Sequence, residues 1–142
     1  MRRGYINIYL MLVILVLLAS LGSLSSILVS NFRALRNQEN AFALEYLAEA
    51  GIEFGKDSIK NIPGYYTDGS PRTPLKTWLI EESVGSTMNF KNGGVKIICP
   101  SGRGELYAVG FFGVDILTSS GYAFLKIKFE EEPLRVIEWT KF

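Results

Sequence analysis

An uncharged stretch of 28 residues, Tyr5–Phe32, constrains the fold of this chain more than any other feature. It follows a short leader, residues 1–4, that holds Arg2, Arg3 and Gly4. A helix rises about 1.5 Å per residue, so roughly 20 apolar residues cross the hydrocarbon core of a bilayer. The 24 residues of Ile6–Val29 are therefore enough. The sequence predicts a helix that meets a membrane at the N-terminal end of the chain.

A basic leader before an apolar run is typical of three kinds of segment. One is a secretory signal peptide, with Ile8–Leu18 as its apolar core and small residues for cleavage in Ser20–Ser25. The second is an uncleaved signal anchor, and the third is a signal that is cut on the cytoplasmic side, before the apolar run. Arg33 and Arg36 balance the two arginines of the leader. Only the leader's α-amine favours an N-terminus inside the cell.

The residues after the apolar run favour a continued helix. Between Ser30 and Lys60 there is no proline, and the composition is rich in good helix formers. We therefore expect one helix of about 55 residues, with residues 5–32 as the membrane half and 33–60 as an amphipathic continuation. Because a cleaved signal peptide rarely runs straight into such a helix, retention of the segment is favoured. The face expected to pack on a domain comprises Leu47, Ala50, Gly51, Phe54 and Ser58.

A row of acidic residues at i+4 spacing follows a different face of the same helix: Glu45, Glu49, Glu53 and Asp57. Two interpretations stay open. The row is a solvated face, or it recognises Arg33 or Arg36 of a neighbouring subunit shifted along the helix axis. In the second case the complementary charges would fix the register between subunits more than their affinity.

Beyond Lys60 the chain changes character. Residues 61–86 are expected to be an irregular connection, with a short helix that starts at Thr73-Pro74 and ends at Glu82. Leu75, Trp78 and Leu79 would share one face of that helix.

Residues 87–142 are expected to form an antiparallel sheet with one buried and one wet face, because apolar and charged residues alternate after Tyr122. Asn92-Gly93 is the expected hairpin turn. The fold class predicted is α+β, a long helix packed on a small sheet. The expected strands are Met88–Lys91, Val95–Cys99, Glu105–Leu117, Tyr122–Glu130 and Leu134–Trp139.

Groups that carry enzyme chemistry are scarce. The 142 residues include no histidine, the commonest general base, and Cys99 is the only cysteine. We expect Cys99 to be a buried small side chain, and we expect neither an enzyme nor a metal or other cofactor. Without Arg2 and Arg3, the chain holds 13 basic and 14 acidic residues. No basic stripe is visible, so direct nucleic-acid binding is not expected.

The N-terminal residues resemble a known family. Arg3-Gly4-Tyr5-Ile6 before an apolar helix resembles the cleavage and methylation signal of type IV pilins and pseudopilins, where an aromatic residue, usually Phe, follows the glycine. Tyr46–Glu53 is similar to the segment after the membrane helix in PilX-like minor pilins. The layout resembles that of the small competence minor pseudopilins of Gram-positive bacteria, and beyond residue 60 the resemblance is one of architecture.

The resemblance implies a maturation step and a set of partners. A prepilin peptidase would cut between Gly4 and Tyr5, and the new amine of Tyr5 would be methylated. The chain would then wait in the cytoplasmic membrane as a single-pass protein with its N-terminus inside. An assembly platform protein would bring it together with other pilin subunits into an extracellular filament.

One departure from the family pattern concerns Tyr9. Most mature pilins carry a glutamate at their fifth residue, which meets the N-terminal amine of a subunit already in the filament. This chain has Tyr9 there. The first subunit of a filament has no predecessor, so Tyr9 favours a minor subunit that primes or caps the filament, although an aromatic residue at the membrane surface explains it equally well.

The expected function is thus that of a minor pilin or pseudopilin in a pilus-like, competence or secretion filament. Adhesion, motility, secretion and DNA uptake all stay open. The alternative is a signal-anchored or secreted extracytoplasmic binding domain that has no filament role.

Overall fold

The computed structural model describes residues 2–62, 64–67, 69–81, 83, 85–131 and 134–142, without the side chains of residues 2–4 and 131. The chain divides into two compact units, residues 1–40 and residues 41–142. Unit 1 is helical throughout its described residues. Unit 2 holds the remainder of that helix, a short second helix and a sheet.

A single helix, α1, runs from Arg2 to Asn61 through both units. This confirms the prediction of one long helix across the apolar and amphipathic segments. No proline interrupts it. It ends where the Ile62 amide still donates to the Ser58 carbonyl, at 2.8 Å, just before Pro63 in the sequence.

Unit 1 presents an apolar surface along the whole described length of the apolar run. From Tyr5 to Phe32 every residue is exposed, and α1 is long and apolar enough near its N-terminal end to span a membrane. The hydroxyl of Ser20 donates to the Val16 carbonyl and that of Ser23 to the Ser20 carbonyl, both at 2.8 Å. Because these hydroxyls find partners within the helix, they do not oppose transfer into lipid as unpaired groups would.

Unit 2 is built on a five-stranded antiparallel meander in the order β1-β2-β3-β4-β5. The α+β prediction is confirmed. The strands are Ser86–Phe90, Gly93–Ile98, Glu105–Phe112, Tyr122–Glu131 and Leu134–Lys141. The second helix, α2, spans Leu75–Glu81, close to its predicted bounds, and the Trp78 amide donates to the Pro74 carbonyl at its start, at 3.1 Å.

The residues of α1 that pack on the sheet differ from the predicted face. Leu44, Ala48 and Ile52 enter the core, whereas Ala50 and Phe54 are exposed. Of the five predicted residues only Gly51 and Ser58 are buried, and Leu47 is half-buried. The predicted stripe was rotated because it followed Leu47 and Phe54, two bulky residues whose exposure only the tertiary packing determines.

Glycines bring α1 unusually close to the sheet. A Cβ on Gly55 would stand 2.7 Å from the Leu106 Cδ2, and one on Gly51 would collide with Val95. From the other side, a Cβ on Gly110 of β3 would collide with the main chain of α1 at Leu44. Small residues on both surfaces therefore let the backbones approach, and the helix lies almost on the strands.

The sheet is buried on both faces at its centre. One core, under α1, comprises Ala48, Ile52, Val95, Ile97, Cys99, Leu106, Ala108, Leu125, Ile127 and Phe129. A second core lies on the opposite face under α2 and comprises Trp78, Leu79, Ile98, Tyr107, Val109 and Phe124. The expected wet face is thus limited to the edges of the sheet. Lys128, Glu130 and Arg135 are exposed on the β4–β5 side, and Thr87 and Asn89 are exposed on β1.

Two turns differ from the sequence prediction. Phe90 pairs with Gly93, so Lys91 and Asn92 form the first hairpin loop and Gly93 belongs to β2. β3 ends at Phe112 rather than Leu117. Gly113 follows with φ +93°, and residues 116–118 form a 3₁₀ turn. A left-handed φ breaks the extended path, which ends the strand.

Candidate functional site

The predicted processing site lies at the start of α1. The side chains of residues 2–4 lie outside the described part of the chain, so the cleavage expected between Gly4 and Tyr5 remains a prediction. Tyr5 and Tyr9 are exposed. Tyr9 places no carboxylate on the surface of the apolar segment, and from Tyr5 to Phe32 that surface carries no formal charge. The segment can therefore contact lipid or another apolar helix along its whole length.

Small residues create a shallow groove on the second half of that segment. It is lined by Gly22, Ser25, Ser26, Val29, Ser30 and Arg33 and has a volume of about 480 Å³. A Cβ built on Gly22 would meet nothing within 4 Å. Such a surface lets a second helix approach closely.

The acidic row predicted on α1 is partly engaged within the chain. Glu45 accepts from Lys141 of β5 at 2.5 Å, and Glu53 accepts from Lys56 at 2.6 Å. Asp57 accepts from the Asn61 amide nitrogen at 2.8 Å. Glu49 is half-buried. The row is therefore neither wholly solvated nor wholly available to a partner.

Arg33 and Arg36, the predicted partners of that row, belong to unit 1. Both are exposed, and neither makes an ion pair among the described residues. Their pairing with the acidic row of another subunit remains a prediction.

An aromatic groove on unit 2 was missed by sequence reasoning. It lies between α1 and the β1–β2 hairpin, has a volume of about 430 Å³, and is lined by Ala43, Tyr46, Leu47, Phe90, Lys91, Asn92, Gly93 and Phe112. Tyr46 is 69% exposed and Phe90 48% exposed. The i, i+4 pair of Phe42 and Tyr46 on α1 was the available signal, since it marks an aromatic stripe away from the core.

A polar cluster lies on the α2 side of the sheet. Glu105 accepts from Lys126 and from the Tyr107 hydroxyl, each at 2.7 Å. The Lys126 ammonium also lies 5.3 Å from the centre of the Tyr107 ring. Burial alone would raise the pKa of Glu105, but the hydrogen bonds from Lys126 and Tyr107 outweigh it and hold that pKa below its ordinary value. Burial, reinforced by the bond to Glu105, raises the pKa of Tyr107.

The three lysines near the end of the sheet are each paired with a carboxylate. Lys126 pairs with Glu105, Lys141 pairs with Glu45, and Lys128 pairs with Glu138 at 3.0 Å. This arrangement braces the sheet and attaches its last strand to α1.

The single cysteine stabilises the connection between the helices. Cys99 is fully buried. Its amide donates to the Thr67 hydroxyl, and the Thr67 amide donates to the Cys99 carbonyl, both at 2.9 Å. Among the described residues, no three His, Cys, Asp or Glu side chains come together as a metal site.

Comparison with protein-family models, with curated proteins and with solved structures gives no match.

Proposed function

We propose that this protein is a minor pilin or pseudopilin that primes or caps a type IV pilus-like, competence or secretion filament. It is a structural subunit, not an enzyme. Its N-terminal segment anchors it in the cytoplasmic membrane until assembly transfers that segment into a bundle of like helices.

One observation carries the proposal: the apolar segment and the helix that completes the core of unit 2 belong to the same uninterrupted helix, Arg2–Asn61. Ala48 and Ile52 of that helix are fully buried in the core. A removable signal peptide needs no such continuity with the fold that it exports. A pilin-like subunit needs it, because the helix that enters the filament also carries the folded unit.

Tyr9 supports a minor role. A carboxylate inside an apolar helical bundle is costly unless it finds a partner, and it is kept where that partner exists. A subunit that is first in its filament meets no earlier N-terminal amine, so an uncharged residue at this position costs it nothing. The exposed Arg33 and Arg36 would then pair with acidic residues of the subunit that follows.

The proposal is tested by the mature N-terminus and by Gly4→Leu. Wild-type protein from cells that carry a prepilin peptidase should begin at methylated Tyr5, as measured by intact mass. Gly4→Leu should keep its leader, because a bulky residue at the scissile bond does not fit a site that accepts glycine. Gly22→Leu is the matched control, since a side chain there meets open space, and it should mature normally.

Three other results would redirect the assignment. Normal maturation of Gly4→Leu would contradict the cleavage site. A wild-type chain that begins near Ser23–Ser26 would identify a secreted protein, and one that keeps Arg2 would identify a plain signal anchor.

A further inference from the structure

The exposed apolar side chains of unit 2 are concentrated at one end. Nine large apolar residues of this unit are exposed among the described residues. Five of them lie on α1, on the β1–β2 hairpin and on the β3–β4 loop, and we call these five the apolar end: Phe42, Tyr46, Phe90, Val114 and Leu117.

Contacts of the neighbouring residues place these elements together. Leu44 of α1 lies against Gly110 of β3 and beside Gly121, which closes the β3–β4 loop. Tyr46 and Phe90 line the same groove as Phe112, the last residue of β3. The turn between β2 and β3, at the other end of these strands, is polar by contrast and contains Ser101, Gly102 and Arg103.

The loop that presents Val114 and Leu117 is held in place by hydrogen bonds. The Asp115 carboxylate accepts from the Leu117 amide at 3.0 Å, and the Tyr122 hydroxyl donates to the Ile116 carbonyl at 2.6 Å. The Ser119 hydroxyl accepts from the Phe112 amide at 2.9 Å. Val114 is nevertheless 84% exposed and Leu117 62% exposed. The loop is therefore held in place while both aliphatic side chains stay exposed. Exposed apolar side chains gathered at one end of a folded unit indicate a surface with a partner.

The sequence indicates which partner lies near the apolar end. Phe42 follows Phe32, the last residue of the uncharged segment, by ten positions. Ten residues span at most about 35 Å in any conformation. While the segment occupies a bilayer, the apolar end is therefore tethered close to the lipid headgroups. Aromatic side chains favour that interface, and the exposed Lys91 beside Phe90 has a stem long enough to reach lipid phosphates.

We propose that the apolar end is a lipid-contact surface that rests on the outer leaflet of the membrane while the subunit waits for assembly. This inference rests on the proposed membrane anchoring. It adds that the folded unit docks on the bilayer with a defined end. A subunit that leaves the membrane for a filament would then lose the lipid contacts of these five side chains as well as those of the apolar segment.

The test uses the full chain in nanodiscs of phosphatidylcholine and phosphatidylglycerol, with or without acyl chains brominated near the headgroup. Val114→Trp and Leu117→Trp each add a reporter at the apolar end, and Ser101→Trp adds one at the polar turn. All three retain the native Trp78 and Trp139. The brominated lipid should quench most of the added emission of the first two variants and should spare that of Ser101→Trp.

Two results would contradict lipid contact at the apolar end. Quenching of both apolar-end reporters no stronger than that of Ser101→Trp would overturn the inference, and so would a blue-shifted emission that bromine leaves intact, because a protein partner would then cover the surface. Flotation of the wild-type chain with vesicles separates this failure from failure of the anchor. A chain that floats but shows no quenching loses only the docking, whereas a chain that does not float loses both.

Discussion

Leu17 and Ile52 are both aliphatic residues of α1, yet Leu17 is 57% exposed and Ile52 is fully buried. This difference in exposure reflects the surroundings of the helix in each of the two units. Around Leu17 the whole circumference of the helix is apolar, so the environment must supply the apolar partner. Around Ile52 the chain supplies that partner itself, because Gly51 and Gly55 let the sheet come within contact distance.

The comparison shows that apolar composition determines which environment the unit 1 part of α1 requires. In unit 2, the size of individual residues determines how closely α1 packs on the sheet. A substitution that adds volume should therefore be harmless in unit 1 and severe in unit 2. A substitution that removes apolar volume should likewise be harmless in unit 1 and severe in unit 2.

The largest effect is expected for Gly110→Val. Its Cβ would collide with the α1 main chain at Leu44 and approach the Ala48 amide nitrogen at 2.9 Å, and backbone cannot move aside as a side chain can. Valine favours strands, so any loss would be steric. We expect a cost comparable with the roughly 5 kcal/mol that holds a small domain together. Near-UV circular dichroism of the full chain in detergent should report loss of tertiary packing.

Gly22→Val is the matched control for that experiment, because the added side chain meets open space in unit 1. It should leave the melting of unit 2 unchanged. A folded Gly110→Val would contradict the close approach of α1 to β3.

The next effect is expected for Ile52→Ala. Removing a fully buried aliphatic side chain from the core should destabilise unit 2 by about 2–5 kcal/mol. Leu17→Ala removes similar volume from an exposed position of the same helix and should change that stability by less than about 0.5 kcal/mol. Denaturant unfolding followed by tryptophan fluorescence measures both variants. Equal effects would mean that the two parts of α1 are not distinct.

The smallest effect is expected for the polar cluster. Glu105→Gln should cost about 1–2 kcal/mol at neutral pH, because a charge-assisted hydrogen bond to Lys126 is lost. The folded-state pKa of Glu105 lies below its ordinary value of 4.5, so the unfolded chain takes up this proton first as the pH falls. The stabilisation is therefore complete above pH 4.5 and is lost below it.

Thermal melts between pH 3 and pH 7 measure that difference. The gap between wild type and Glu105→Gln should close at the acid end. Glu138→Gln, at an exposed pair with Lys128, is the control and should show a smaller gap. A gap for Glu105→Gln that does not change with pH would rule out the ion pair as its cause.

Sequence reasoning predicted the elements better than their contacts. The continuous α1 follows from the absence of proline, and α2 follows from Thr73-Pro74. The strands follow from turn signals such as Asn92-Gly93 and, for β4, from the alternation after Tyr122. The predicted buried face of α1 was wrong, because Phe54 is an apolar residue typical of a core and yet lies at an exposed position. The second core was missed because Tyr107 and Val109 become buried only when α2 covers them. The aromatic groove depends on residues distant in sequence, Tyr46 and Phe90.

The proposed filament role requires that the apolar segment stays attached to the folded unit after export, and intact-mass analysis of the membrane-extracted protein measures that. The predicted result is a single chain of residues 5–142 with one methyl group on its N-terminal amine. A product that starts beyond residue 20, free of the membrane, would contradict the account.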